Sequence, residues 1–139
     1  MGYDSTILFA ESFEMPFSED SDWAKEVGIC GMSGAQIQAT VEFHKCPYIE
    51  VAFREKGHKA TVFTYYDTNV ENPNTPTLTD RYGDYLREMS LDKFIEILEE
   101  SQEFWKYYPY QVAHAIAMAY KKAWTPNRIQ KMKVLHFGH

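Results

Sequence analysis

The stretch Gln36-Ile37-Gln38-Ala39-Thr40-Val41-Glu42-Phe43 changes between polar and apolar at every step. A period of two is the pattern of extended backbone, whose successive side chains leave opposite faces. It predicts a half-buried strand over 36–43 with Ile37, Ala39, Val41 and Phe43 facing a core. Two more segments extend this pattern. Residues 48–54 place Ile49, Val51 and Phe53 at alternate positions, and 60–66 are rich in β-branched and aromatic residues. The links between the three, Lys45-Cys46-Pro47 and Glu55-Lys56-Gly57-His58, are too short for parallel crossovers. The expectation is an antiparallel meander over 36–66.

Helices are read on either side. Asp22 is placed as the cap of a short helix running through Val27 to Gly28. Ser90 is a second N-cap, followed by Leu91, Phe94, Ile95 and Leu98 at helical spacing, which predicts a helix over 91–105. Pro109 suits the first turn of another over 110–124. Its inner stripe is Val112, Ile116, Ala119, Tyr120 and Ala123, and Thr125-Pro126 closes it and caps a short turn. Residues 5–9 and 134–137 read as terminal strands able to pair with each other, since chain ends are often close. Residues 14–22 and 67–80 read as loops. The 139 residues make one α+β domain: an antiparallel sheet, meander plus terminal strands, with two main helices on one face.

Composition excludes several classes. At 45% hydrophobic and 24% charged the chain is neither disordered nor fibrous. No run approaches the ~18 apolar residues of a membrane span, and the first eleven residues lack the basic start of a secretory signal. The expected location is the cytoplasm, with Cys30 and Cys46 as reduced, small apolar residues.

Motifs for chemistry are sparse. Gly28-Ile29-Cys30-Gly31-Met32-Ser33-Gly34 is followed by Ala35-Gln36 and a strand, where a phosphate cradle requires a helix N-terminus. Asp67-Thr68-Asn69-Val70-Glu71 imitates the start of a calcium loop, but Asn72 and Leu78 stand where glycine and a bidentate glutamate are required. His44, His58, His114, His136 and His139 form no paired ligand set with the two cysteines. No nucleophile–base constellation is legible, so neither a metal nor another cofactor is expected, and an enzyme is the last of the hypotheses.

Charge and aromatic rings are more informative. Residues 1–105 hold all twenty acids and eight bases, a net −12, whereas 106–139 hold six bases and no acid. The chain also has ten Tyr, nine Phe and three Trp. Tyr and Trp bury large area at low entropic cost, which enriches them at interfaces. This points to a protein-binding surface with Glu96, Glu99, Glu100 and Glu103 on one helix face, and Tyr65, Tyr66, Tyr82 and Tyr85. The loop acids Glu14, Glu19, Asp20 and Asp22 are an equal candidate. The alternative is a small anionic ligand or nucleotide held by Tyr120, Trp124, Arg128, Lys131 and Lys133, with rings for a base and cations for a phosphate. Lys121 and Lys122 are explained by the carbonyl end of their helix. The remaining bases are too few for a duplex-DNA track, which neutralises ~6–10 phosphates.

Met1-Gly2-Tyr3-Asp4-Ser5, Leu78-Thr79-Asp80-Arg81-Tyr82-Gly83 and Val134-Leu135-His136-Phe137-Gly138-His139 resemble segments of a loose group of small uncharacterised proteins of bacteriophages and prophages. The resemblance covers these three segments and no catalytic motif. It implies a phage-encoded protein in the bacterial cytoplasm that binds and inhibits a host or defence protein without catalysis. The target and the oligomeric state stay open.

Overall fold

The computed structural model describes residues 4–16, 21–67, 75–101 and 106–139. Among these residues six strands form one sheet: β1 (Ser5–Pro16), β2 (Ser33–Phe43), β3 (His58–Lys59), β4 (Val62–Phe63), β5 (Arg87–Ser90) and β6 (Met132–Gly138). Among the described residues five helices accompany them: α1 (Asp22–Val27), α2 (Pro47–Lys56), α3 (Leu91–Glu100), α4 (Tyr108–Ala123) and α5 (Pro126–Ile129). The α+β class and the pairing of the terminal strands agree with the sequence reading, with β1 antiparallel to β6. No helix among the described residues is long and apolar enough to cross a membrane.

The expected meander is not formed. Residues 48–54 lie in α2, which has Pro47 in its first turn and buries Ile49, Ala52 and Phe53. The spacing i, i+3, i+4 through these residues is helical, and the alternation of Ile49, Val51 and Phe53 conceals it. With α2 as a crossover, β4 returns parallel to β2, so the sheet is mixed. Its order is β3-β5-β6-β1-β2-β4. The segment from His58 to Phe63 therefore touches both ends of the sheet. The Ala60 amide donates to the Leu86 carbonyl at 2.8 Å, and the Ser33 amide donates to the Thr61 carbonyl at 3.4 Å. The sheet is curled so that one short segment bonds to both margins.

A bulge corrects the expected face of β2. Phe9 pairs with Ala39 and Ala10 with Ile37, leaving Gln38 without an opposite residue. The extra residue reverses the facing of what precedes it. Ala39, Val41 and Phe43 join Ile7, Phe9, Met132 and Val134 beneath the helices, whereas Ala35 and Ile37 join Leu8, Ala10, Leu135 and Phe137 on the other face. Helices α2, α3 and α4 share the first core, where Phe9 meets Phe94 edge-on at 5.6 Å and Phe43 meets Tyr110 at 4.9 Å.

The helix ends follow their side chains. Ser21, not Asp22, caps α1 by accepting from the Ala24 amide at 3.2 Å; Asp22 is its first residue. Gly28 closes α1 at φ 81°, which an L side chain rarely adopts. Ser90 and Thr125 cap α3 and α5. Helix α3 ends at Glu100, short of the expected 105; residues 102–105 lie outside the described ones. In α4 the buried positions are Tyr110, Ala113 and Ala117, with Val112, Ile116 and Tyr120 packed alongside, while Ala119 and Ala123 are exposed.

Candidate functional site

Strand register builds the site. Lys59 of β3 lies opposite Arg87 of β5, and Arg87 lies opposite His136 of β6. Directly opposed residues share a face, so three basic residue types stand side by side across three strands. Helix α2 contributes Phe53 below and the Glu50–Arg54 ion pair, at 2.9 Å, on one wall. The turn 80–85 supplies the other wall with Asp80, Asp84 and Tyr85. Together they enclose a cleft of about 350 Å³.

Each part of this cleft is held. The Asp80 side chain accepts from the Tyr82 amide at 2.9 Å and the Asp84 amide at 3.1 Å, which sets the turn. The Lys59 ammonium lies 3.9 Å from the centre of the Tyr85 ring. His136 Nε2 and the Ser5 hydroxyl share a hydrogen bond of 2.7 Å, and the Phe53 ring is 5.4 Å away. Burial pushes the imidazole down to about 4, with His139 adding to the effect, so His136 is neutral at pH 7. Ser5 is covered, at 1% exposure, which closes its hydroxyl to any substrate in this conformation.

On the opposite face of β5, Glu88 is fully buried. Its Oε1 accepts from both the amide and the hydroxyl of Thr61, with His58 Nε2 at 3.5 Å. Its Oε2 has no partner among the described residues. This clamp fastens the segment that joins the two sheet margins.

The tyrosines named from sequence fall on one loop assembly. Segments 64–67 and 77–85 are tied by the Thr64–Thr77 bridge, by the Asp67 amide donating to Thr77 Oγ1 at 3.0 Å, and by Arg81 on Asp67 at 3.3 Å. Tyr65, Tyr82 and Tyr85 are 46%, 51% and 61% exposed, whereas Tyr66 is half-buried edge-on to Phe137. The acidic set lies on a different element, α3. There Glu96 pairs with Lys93 at 3.4 Å, Glu99 with His114 at 2.9 Å and Glu100 with Lys56 at 2.7 Å. Glu103, the side chain of Glu14, and Glu19 and Asp20 lie outside the described residues, as do residues 68–72 of the calcium-like stretch; Asp22 is exposed.

The alternative ligand set is partly assembled. Tyr120 and Trp124 meet at 4.9 Å, and the Arg128 guanidinium lies 3.8 Å from the Trp124 ring. Arg128 also forks onto Glu11 at 2.8 and 3.2 Å, which holds the Glu11 carboxyl below the usual range, with Lys131 adding. Lys133 is half-buried in β6, opposite Ala10 and Ser90. The glycine cluster runs from the C-cap of α1 through a turn into the first two residues of β2, and Cys30 and Cys46 are free and half-buried. Burial raises the Cys46 thiol above its ordinary value, opposite to what a reactive thiolate requires. Among the described residues no group of three or more His, Cys, Asp or Glu side chains is placed to hold a metal.

The cleft residues Lys59, Arg87 and His136 are not singled out by the sequence, since 77 positions separate the outer two. The advance signal is Leu86-Arg87-Glu88-Met89, which read as extended backbone puts one charge on each face. Comparison with protein-family models, with curated proteins and with solved structures gives no match to this chain.

Proposed function

We propose that the protein is a non-enzymatic binding domain that grips a partner protein with the loop assembly at the mouth of the cleft. The observation that carries this reading is Tyr82 and Tyr85, more than half exposed on a turn pinned by Asp80. Large rings on a prearranged turn bury area with little further loss of conformational freedom, which is the economy of interface hot spots. The paired glutamates of α3 form a rim to this surface rather than its centre, because Glu96 and Glu100 already pair with lysines and Glu99 with the His114 ring. The likeness of three segments to phage proteins supports a bacterial target and an inhibitory role.

The test is comparative capture from bacterial lysate with immobilised wild type and a Tyr82→Ser/Tyr85→Ser variant, whose melting temperature is checked first. A partner held in fixed ratio by the wild type and lost by the variant is expected. The same retained proteins in the same amounts on both would overturn the reading.

A further inference from the structure

Arg87 stands in an unusual environment for a half-buried guanidinium. Its two cross-strand neighbours are Lys59 and His136, so no acid lies beside it on its own face of the sheet. Like charges directly opposed across strands are unfavourable, and sheets ordinarily set opposite charges there. Three of the nearby acids are engaged elsewhere. Glu50 is on Arg54, the Asp80 side chain accepts two amides of its own turn, and Glu88 is buried on the opposite face. Asp84 is exposed on the far wall and forms no ion pair among the described residues. Arg87 itself has no carboxylate within ion-pair distance among those residues, and Lys59 rests on the Tyr85 ring rather than on an acid. Both cations open into the same cleft of about 350 Å³, whose floor is Phe53 and His136.

We propose that this cleft is an anion site, in which Arg87 and Lys59 hold an oxyanion — a carboxylate or a phosphate — above the His136–Phe53 floor. The guanidinium fork matches two oxygens of such a group, and the ammonium adds a second charge from the side. A partly desolvated floor strengthens both interactions relative to open water. The anion relieves the opposition of Lys59 and Arg87, neither of which has an ion pair among the described residues. The cleft volume lies at the small end of ligand sites, enough for the anionic group and a short stem. That group is supplied either by an acidic side chain of a bound protein or by a free small anion. The inference shares Tyr85 alone with the tyrosine surface, through the ring on which Lys59 rests.

The experiment is an NMR titration read at the Arg87 Nε–H resonance. Probes are inorganic phosphate, acetate and a blocked peptide containing glutamate, each matched in ionic strength with sodium chloride. A saturating shift with at least one probe is expected, abolished by Lys59→Gln at unchanged melting temperature. Arg87→Lys keeps the charge without the fork and should weaken binding about tenfold, read on Lys59 and His136 resonances. Tighter binding of the peptide than of acetate assigns the anion to a protein partner; tighter binding of phosphate assigns it to a free ligand. An Arg87 resonance that none of the probes moves beyond the chloride control would overturn the proposal. Loss of partner capture in the tyrosine variant would then still stand by itself.

Discussion

His136 ties stability to pH in a window that ordinary surface histidines leave flat. Its ring is 6% exposed, lies 5.4 Å from Phe53 and bonds to a covered Ser5 hydroxyl. Its cleft holds three cations, Arg54, Lys59 and Arg87, and three carboxylates, Glu50, Asp80 and Asp84, so burial, with His139 adding, sets the direction. Burial lowers its pKa from 6.5 to about 4. The unfolded chain therefore takes up a proton on this residue before the folded one does. Stability is at full value above 6.5 and falls as the pH drops from 6.5 toward 4, below which the loss levels off. Between pH 7 and about pH 4.5 the linkage amounts to roughly 2.5 kcal/mol, a large part of the stability of a domain this size.

The assay is urea denaturation at these two pH values for wild type and His136→Gln, which keeps a partner for Ser5 but does not titrate. Carboxyls held low, such as Glu11 beside Arg128 and Asp4 beside the Lys45 amide, also cost stability in acid, but they are common to both proteins and cancel in the difference. The wild type should lose roughly 2.5 kcal/mol more than the variant on acidification. Parallel losses, or an imidazole NMR titration of His136 centred at or above 6.5, would refute the reasoning.

Three further outcomes are expected. Val41→Asp places a carboxylate among Phe43, Ile7 and Phe9 with nothing to pair it, and should cost about 4 kcal/mol or more by chemical denaturation; a loss below about 1 kcal/mol would contradict the placement of that strand. Gly57→Ala brings a Cβ to 2.6 Å from the Phe53 carbonyl oxygen and 3.0 Å from that of Glu88, so the end of α2 or β5 must move, lowering stability by about 1–3 kcal/mol, whereas an unchanged melting temperature would show that the gap opens freely. Duplex DNA should show no binding at physiological salt in fluorescence anisotropy, because Lys121 is held by Asp92 at 3.1 Å and Arg128 by Glu11; salt-sensitive binding lost in Arg128→Glu/Lys131→Glu would reverse that assignment.

The parts of the fold that were legible in the sequence are those where one local signal acts alone. Strand 36–43, the Ser90 cap with Leu91, Phe94, Ile95 and Leu98, and Pro109 at the start of α4 each satisfy one period or one cap. Residues 48–54 satisfy two. Ile49 and Phe53 serve a strand through Val51 and a helix through Ala52, and the choice was made by tertiary packing against Phe94 and the sheet. The bulge at Gln38 has no sequence signature, because the alternation runs through it unbroken while β1 opposite takes one residue fewer. The two-residue strands β3 and β4 exist only because the sheet curls to meet them, which no local propensity reports.

The charge division also reads differently in three dimensions. In the sequence it is an acidic body and a basic end; in the fold it is partly an interlock, with Arg128 of α5 on Glu11 of β1 and Lys121 of α4 on Asp92 of α3. Exposed pairs of this kind contribute at most about 1 kcal/mol each, so they account for where the charges go more than for why the chain folds. The two cations of the cleft come instead from within the acidic stretch, and neither has an ion pair among the described residues. Lys59 and Arg87 are separated in sequence by β4 and the tyrosine loops, and only strand register sets them side by side. A site defined by register has no spacing to search for. It becomes visible once β5 is recognised between β3 and β6, where two cations stand in register with no acid opposite either of them.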